Sequence, residues 1–463
     1  MKNISRRNFL KTLGVGAAVT TTALYGCKPK NTVSAEGGAI GEVPTDKMTY
    51  RINPFTKDKV SLLGYGCMRW PLRKNANGED EVDQDMVNEL VDYAISHGVN
   101  YFDTAPVYIR GWSETSTGIA LKRHPRDKFY IATKLSTGRN DPYTRSLKAA
   151  KEMFENSLKN LQVDYIDYYL VHSVGGGKDP IREIDNRLYD NGVMDFLQAE
   201  RKAGRIRNLG WSFHGDVKGF DYMLSLHEKV QWDFVQIQLN YIDWQHASVG
   251  RNVNAEYLIA ELEKRGIPSV IMEPLLGGRL ARVNTQAMNI MKEIRPEDTP
   301  AQWAFRYAGT PESVLTVLSG MVYMEHLQEN IRTYAPLQPL NEQEYEALEK
   351  VTQIMLNSDY IQCTTCQYCM PCPYGLDIPG IFDHYNRCVS AGQRLNSSND
   401  PNYKEARRAF LLGYDRKIPK FRQADHCTEC GLCKPLCPQR IDIPKEMRRV
   451  NEYAERLKQR KEF

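Results

Sequence analysis

The 463-residue sequence lacks several features, and each absence excludes a class of protein. No stretch approaches the ~18 uncharged apolar residues that a membrane-spanning helix requires. The 61 basic side chains nearly balance the 57 acidic ones, for a formal net charge of +4, so the charge gives no reason to expect a nucleic-acid partner. The glycines form no Gly-x-Gly-x-x-Gly fingerprint of the kind that flavin-binding proteins carry.

Cysteine is scarce before residue 363, where only Cys27 and Cys67 occur. The other nine of the 11 cysteines fall between residues 363 and 437. Hydrophobic residues make up 41% and charged residues 25% of the chain, as in ordinary soluble globular proteins. At about 100–200 residues per domain, the length predicts two or three domains, and the cysteines are concentrated towards the end of the last one.

The N-terminus resembles an export signal rather than part of a folded domain. Residues 5–11 read Ser-Arg-Arg-Asn-Phe-Leu-Lys, and an uncharged, modestly apolar run follows as far as Gly26. This resembles a twin-arginine signal, which directs folded proteins across the membrane; the alternative is a chance Arg-Arg pair on an amphipathic helix. We therefore predict a signal peptide and linker over residues 1–35 and a periplasmic location. The protein would either carry a lipid anchor at Cys27 or be released by cleavage after Ala35.

Between residues 49 and 335, short apolar runs alternate with amphipathic helical stretches. Eight runs are predicted strands: 60–66, 99–103, 129–134, 165–172, 206–212, 234–240, 268–273 and 313–319. Helical patterns such as 86–97 and 145–161 separate them. Eight successive β–α units predict an α/β fold, a (β/α)8 TIM barrel, rather than an open sheet. Residues 48–58 would form a hairpin under the barrel floor.

Polar side chains end three successive predicted strands: Asp103, Lys134 and His172. Tyr108 follows Asp103 by five residues, in the loop above the same strand. The carboxyl ends of barrel strands meet on the face where such barrels carry out catalysis, so we expect these four side chains to converge. A single histidine at a strand end is more often structural, but four polar residues in register indicate a catalytic site.

These residue types suit proton transfer to a carbonyl oxygen. A free tyrosine has a pKa near ~10, too high for efficient proton exchange at neutral pH. A neighbouring ammonium favours the phenolate form, so Lys134 is expected to tune Tyr108. Asp103 would keep Lys134 charged and would keep its ammonium group oriented. His172 would donate a hydrogen bond to the substrate oxygen and orient it while hydride reaches the carbon.

The sequence around these residues resembles the aldo/keto reductase family. Residues 100–108 read Asn-Tyr-Phe-Asp-Thr-Ala-Pro-Val-Tyr, Ile-Ala-Thr precedes Lys134, and Leu-Val precedes His172. Over residues 49–335 the resemblance implies a barrel that binds NADP(H) and acts on a small carbonyl or alcohol substrate. It also implies a set of cofactor-binding residues: Ser212 and Gln236 on the nicotinamide side, Gly277, Gly278 and Arg279 as a backbone-amide cradle for the pyrophosphate, and Glu329 and Asn330 on the adenine side. Phe213, Met272 and the absence of a lysine after Ser319 depart from the family pattern and leave NAD as an alternative.

Two cysteine runs near the C-terminus have the spacing of iron–sulfur ligands: Cys363, Cys366, Cys369 and Cys372, then Cys427, Cys430, Cys433 and Cys437. The second run has the spacing of bacterial ferredoxins, in which the fourth cysteine binds the other cluster. Two crossed [4Fe-4S] ligand sets follow, one adding Cys372 to the first three cysteines of the second run and the other adding Cys437 to the first three of the first. The first run has two residues rather than three before its last cysteine, so the spacing leaves the number of clusters, one or two, undecided. Zinc binding and disulfide formation compete with iron–sulfur ligation as explanations of the same cysteines.

Residues 358–463 resemble a mainly α-helical ferredoxin-like domain, joined to the barrel by a connecting helix over residues 336–357. Between residues 401 and 463, 16 lysines and arginines outnumber nine aspartates and glutamates, which suits a redox partner protein or an acidic lipid surface. We predict an exported oxidoreductase with a nicotinamide cofactor and iron–sulfur clusters. One alternative is an electron-transfer module whose barrel is a non-catalytic docking scaffold, and another is that the clusters are purely structural.

Overall fold

The computed structural model describes residues 42–136, 145–247, 252–395 and 397–459. The predicted signal over residues 1–35, with Cys27, lies outside the described residues. The strands are β1 Tyr50–Ile52, β2 Lys59–Ser61, β3 Leu63–Gly66, β4 Leu72–Lys74, β5 Asp80–Val82, β6 Tyr101–Asp103, β7 Tyr130–Leu135, β8 Ile166–Val174, β9 Ile206–Phe213, β10 Phe234–Gln238, β11 Ser269–Met272 and β12 Val314–Ser319.

Eight of these strands confirm the predicted TIM barrel. β3 and β6 to β12 are parallel neighbours in chain order, and β12 pairs with β3 to close the ring, with Val317 beside Leu63. Large side chains fill the interior: the rings of Tyr101 and Phe234 pack edge-on against Tyr168, and all three are fully buried. Because the interior is packed, the polar groups that can react lie at the carboxyl ends of the strands.

The first predicted strand, residues 60–66, is divided in the structure. Lys59–Ser61 pairs antiparallel with Tyr50–Ile52, and only Leu63–Gly66 joins the barrel. Between the two parts, Ser61 Oγ donates a hydrogen bond of 2.7 Å to the carbonyl oxygen of Leu63. Leu62 and Leu63 lie side by side at the division, so hydrophobicity alone could not separate the hairpin under the barrel from the barrel strand.

The helices are α1 Gln84–Ser96, α2 Trp112–Leu121, α3 Leu147–Leu161, α4 Pro180–Leu188, α5 Val193–Lys202, α6 Val217–Ser225, α7 His227–Val230, α8 Asp243–His246, α9 Ala255–Glu263, α10 Thr285–Ile294, α11 Pro300–Gly309, α12 Met324–Tyr334, α13 Glu342–Leu356, α14 Ile378–Ser390, α15 Tyr403–Lys417 and α16 Ile443–Gln459. In α3, the Ser146 side chain caps the helix by accepting from the N–H of Ala149. Its buried residues Ala150, Phe154 and Leu158 recur every four residues, a stripe that belongs to the barrel's core.

Helix α13 is fixed to the barrel by a buried ion pair. The Arg306 guanidinium on α11 donates to both carboxylate oxygens of Glu344, each at 2.9 Å. Glu344 also completes a capping box with Asn341 at the start of α13. One carboxylate therefore both starts the helix and holds it against the barrel.

The described residues after α13 form a helical module with its own apolar core. Phe382 on α14, Phe410 on α15 and Met447 on α16 are fully buried within it, and six of the clustered cysteines border it. This confirms the predicted mainly α-helical domain after the barrel. None of the helices in the described ranges is both long and apolar enough to cross a bilayer.

Replacing Glu344 with alanine should lower the unfolding free energy by about 3–5 kcal/mol, because Arg306 would stay buried without its carboxylate. The measurement is the thermal unfolding of the holoprotein followed by circular dichroism. Glu346→Ala, on the exposed side of the same helix, is the matched control and should unfold like the wild type. Equal unfolding temperatures for the two variants would contradict the role given to the ion pair.

Candidate active site and cysteine clusters

The structure brings the four predicted catalytic residues together at the barrel mouth. Asp103 is the last residue of β6, Lys134 lies in β7 and His172 in β8, so the three side chains stand on neighbouring strands. Tyr108 begins a short helical turn after β6. All four are at least nine-tenths buried, so their interactions operate in a largely water-free setting.

Lys134 is fully buried and is held by two acceptors. Its Nζ lies 2.5 Å from Asp103 Oδ1 and donates to the carbonyl oxygen of Thr104 at 2.8 Å. The same Nζ lies 5.1 Å from the centre of the Tyr108 ring. The ammonium is thus positioned beside the phenol, as the sequence predicted.

Burial acts on both members of this ion pair. Desolvation raises the pKa of Asp103 and lowers the pKa of Lys134, and the opposite charge of each partner counteracts the shift. Among the described residues, Asp103 Oδ2 has no hydrogen-bond partner, so Lys134 is the side chain that compensates the carboxylate. Removing either member would leave the other as an uncompensated buried charge.

The His172 ring is fixed from several sides. Its Nδ1 shares a hydrogen bond of 2.7 Å with Ser136 Oγ, and its main-chain oxygen accepts from Arg187 at 2.7 Å. The ring stands edge-on to Tyr108, with 5.9 Å between ring centres. Its Nε2 lies 3.5 Å from the hydroxyl of Tyr368, a residue of the module. His172 therefore contacts both the Tyr108 ring and the module.

Three consecutive residues after Tyr108 have left-handed backbone conformations. The φ angles of Ile109, Arg110 and Gly111 are 49°, 56° and 94°. A β-branched residue such as isoleucine rarely adopts this conformation, and strain of this kind concentrates at functional sites. The turn directly follows the buried phenol, which is consistent with a loop built to hold Tyr108.

The clustered cysteines lie close to one another in the pattern of the two crossed groups. Cys363 and Cys369 lie near each other and near Cys366 and Cys437, whereas Cys427 and Cys433 lie near Cys430 and Cys372. Cys369 also lies near Cys433 and lines the same cavity as the second group of four, so the two groups adjoin. Across the described residues, no three His, Cys, Asp or Glu side chains are arranged to hold a single metal ion.

The loops that carry the cysteines fit an iron–sulfur cluster. Left-handed residues wind the chain within both runs, among them Thr365, Gln367 and Glu429, with φ angles of 53°, 65° and 57°. The N–H of Thr365 donates to Cys363 Sγ at 3.4 Å. Burial raises the pKa of Cys363 to about 12 and that of Cys433 to about 11, so both groups are neutral thiols at neutral pH unless a bound cation favours the thiolate form.

Comparison with known families assigns three parts of the chain. The aldo/keto reductase family matches residues 62–353, which is more than half of the sequence. The chain belongs to the aldo/keto reductase family. A 4Fe-4S dicluster domain matches residues 362–443, and a signal sequence of the twin-arginine translocation pathway matches residues 3–23. This aldo/keto reductase is therefore an oxidoreductase with an iron–sulfur domain and an export-type signal.

Individual relatives extend over the barrel. The uncharacterized oxidoreductase YqkF of Bacillus subtilis (strain 168) is 26% identical over 319 residues, which cover 64% of this chain and 93% of the relative. The holo form of aldo-keto reductase AKR11C1 from Bacillus halodurans is 23% identical, with a TM-score of 0.52 over 66% of this chain and 96% of that one. A Klebsiella pneumoniae aldo-keto reductase in complex with NADPH is 21% identical, with a TM-score of 0.51 over the same shares. At these identities the two solved structures establish the fold.

The residues expected on the nicotinamide side of this aldo/keto reductase are buried at β9 and β10. Ser212 Oγ accepts from the N–H of Ser173 at 2.7 Å. Gln236 Nε2 lies 3.7 Å from Met272 Sδ, while its buried Oε1 has no partner among the described residues. A buried amide oxygen requires a donor, which the carboxamide of a nicotinamide would supply. This end of the site fits the cofactor.

The loop expected to hold the pyrophosphate is covered by the chain itself. The N–H of Gly277 donates to Glu273 Oε2 at 2.7 Å. A Cβ atom at position 277 would lie 2.4 Å from the main chain of Thr364, so that segment packs directly on the glycine. Arg279 is buried and donates to the side chain of Gln362. With the module in this position, the pyrophosphate end does not fit the cofactor.

The remaining expected cofactor residues lie further round the barrel mouth. Gly278 is left-handed, with a φ of 92°. On α12, the Glu329 carboxylate accepts from Thr299 Oγ1, and Asn330 Nδ2 donates to Ser319 Oγ at 3.0 Å. These two adenine-side residues are therefore partnered within the barrel.

Sequence reasoning missed three residues that lie where the module meets the barrel mouth. Tyr368 stood only as a spacer within a Cys-x2-Cys interval, although its hydroxyl reaches His172. Glu273 and Arg69 follow β11 and β3, yet no motif marked them. The linear sequence carries no signal for these contacts, because they depend on how the module packs over the barrel.

Cys437→Ser should remove the cluster bound by Cys363, Cys366 and Cys369 and halve the iron content, because the crossed ligand sets assign Cys437 to that group. The measurements are iron and sulfide analysis and electron paramagnetic resonance of the reduced protein, prepared anaerobically. Cys388→Ser, a buried thiol on α14 outside both groups, is the control and should keep the full iron content. Loss of the cluster at Cys427, Cys430 and Cys433 instead would contradict the crossed pairing.

Proposed function

We propose that this aldo/keto reductase interconverts a carbonyl and a hydroxyl group on a small-molecule substrate outside the cytoplasm. The observation that carries the proposal is the placement of the Tyr108 ring, with Lys134 Nζ 5.1 Å from its centre and the His172 ring centre at 5.9 Å. A buried phenol between an ammonium and an imidazole suits general acid–base catalysis at a substrate oxygen. Tyr108 is therefore the group expected to exchange a proton with the substrate.

The protein's own residues account for the proton transfer. The Lys134 ammonium, held by Asp103, favours the phenolate and so makes Tyr108 a better proton donor and acceptor. In carbonyl reduction the Tyr108 hydroxyl donates its proton to the substrate oxygen, and in alcohol oxidation the phenolate oxygen accepts it. His172 Nε2 binds the same oxygen and orients it, while Ser136 keeps the imidazole ring in place.

When bound, a nicotinamide dinucleotide supplies or takes up the hydride at the substrate carbon. Ser212 and Gln236 would hold its carboxamide, and the unpaired Oε1 of Gln236 supports that assignment. The family resemblance favours NADP(H), with NAD as the alternative, and the Klebsiella pneumoniae relative binds NADPH.

The module would hold two [4Fe-4S] clusters on its crossed cysteine groups, which supply one-electron transfer when they are loaded. The excess of 16 basic over nine acidic residues between 401 and 463 suits a redox partner protein with an acidic surface. We include such a partner in the proposed function.

A second candidate function is electron transfer by the module, with the barrel as a docking scaffold. The observation that favours it is the packing of Thr364 onto Gly277, which covers the loop that a hydride carrier would need. In that case Tyr108 would have no part in turnover, so one substitution separates the two functions.

Tyr108→Phe should lower the rate of carbonyl reduction by about 10²- to 10⁴-fold, because the proton donor is lost while the ring is kept. The assay is reduction of an aromatic aldehyde by the anaerobic holoprotein, with NADPH and, separately, with reduced methyl viologen as the electron donor. Tyr323→Phe, at an exposed tyrosine, is the control and should keep the wild-type rate. Full activity of Tyr108→Phe with either donor would rule out the acid–base assignment and favour the scaffold.

The double change Arg6→Lys and Arg7→Lys should keep the protein in the cytoplasm, because the twin-arginine pathway reads the arginine pair. Cell fractionation and immunoblotting measure the location, and Lys28→Arg, which leaves the pair intact, is the control. Cys27→Ser should move the exported protein from the membrane to the soluble fraction if Cys27 is acylated. Wild-type protein found in the soluble periplasmic fraction would instead support cleavage after Ala35.

A further inference from the structure

The module lies across the part of the barrel mouth that follows β3, β10 and β11. Arg69, after β3, donates to the main-chain oxygen of Thr364 at 2.7 Å and to Thr365 Oγ1 at 3.0 Å. Gln439, next to the second cysteine run, donates to Gln238 Oε1 on β10 at 3.1 Å. Both contacts join cluster-bearing loops of the module to the barrel mouth.

At the loop after β11, the available space and the local charge both oppose the binding of a pyrophosphate in addition to the module. Because a Cβ at Gly277 would lie 2.4 Å from the Thr364 main chain, no room remains there for a phosphate group. The N–H of Gly277 already donates to the Glu273 carboxylate, so an incoming pyrophosphate would meet a like charge beside it. The anion-binding amide is therefore both covered and already bonded.

Arg279, the third residue of the expected pyrophosphate loop, is also engaged by the module. The Arg279 side chain is 7% exposed and donates to Gln362, and its guanidinium lies 5.0 Å from the centre of the Tyr360 ring. Releasing Arg279 to bind a phosphate requires separating it from both residues. Thus the segment that follows α13 contacts the expected pyrophosphate loop at Gly277 and at Arg279.

We propose that residues 360–368 of the module occupy the pyrophosphate part of the dinucleotide groove, so that the docked module and a bound nicotinamide dinucleotide exclude each other. The inference rests on the proposed function for the identity of the groove, and it adds the module as the element that controls access to it. In the docked state, the segment that carries Tyr368 is the part of the iron–sulfur module that contacts the proposed catalytic site. This residue precedes the cluster ligand Cys369, and its hydroxyl lies 3.5 Å from His172 Nε2.

The test measures NADPH binding by fluorescence titration of the anaerobic holoprotein, without substrate. Arg69→Ala and Gln439→Ala, made separately and together, remove different docking contacts and leave the proposed catalytic residues and cofactor ligands unchanged. We expect each variant to bind NADPH more tightly than the wild type, and the double variant at least tenfold more tightly. Arg73→Ala, at an exposed arginine paired with Glu81 on the β4–β5 hairpin, is the matched control and should behave like the wild type.

Iron content and electron paramagnetic resonance are measured on every variant, so that a lost cluster is not mistaken for an opened groove. Equal NADPH affinity in the wild type and the double variant would overturn the proposal, as would NADP(H) released from the wild-type holoprotein at one molecule per chain. Failure of every variant to bind NADPH or NADH would also overturn it, because there would then be no dinucleotide groove for the module to block. Tyr108→Phe should bind NADPH like the wild type. The NADPH-binding comparison can therefore be interpreted even if the acid–base assignment of Tyr108 is wrong.

Discussion

Closure of the eight parallel strands, completed where β12 pairs with β3, is the constraint on which the rest of the structure depends. It brings the carboxyl ends of all eight strands to one face, so residues that are far apart in the sequence become neighbours. Asp103, Lys134 and His172 meet for that reason alone. The same face then becomes the surface onto which the module packs, which places two functional units at one opening.

At that opening, the proposed acid–base chemistry depends on one buried charge. Lys134 has lost its hydration and is stabilised by Asp103 and the carbonyl oxygen of Thr104. A buried ion pair contributes little to stability, because the Coulomb attraction mainly offsets the cost of desolvation. Its value here is positional, since it holds an ammonium 5.1 Å from the centre of the Tyr108 ring in a low-dielectric setting.

The contact between module and barrel connects the two halves of the chain in function. An aldo/keto reductase barrel carries out two-electron hydride chemistry, whereas a [4Fe-4S] cluster transfers one electron at a time. If the docked module excludes the dinucleotide as proposed, the segment that packs on Gly277 and contacts His172 through Tyr368 would keep those two chemistries apart. This arrangement gives a physical reason for a reductase to carry the module at all.

Local pattern was sufficient for the strands and for bringing the four residues of the predicted site to one face, because each depends on spacing along one β–α unit. It failed at residues 60–66, where the adjacent Leu62 and Leu63 hide the change from hairpin to barrel strand. By itself the sequence determined the barrel, and it predicted the acid–base residues and the cluster ligands. Only the tertiary structure decided that Thr364 covers Gly277 and that Tyr368 meets His172, because these pairs are far apart in the chain and meet only through packing.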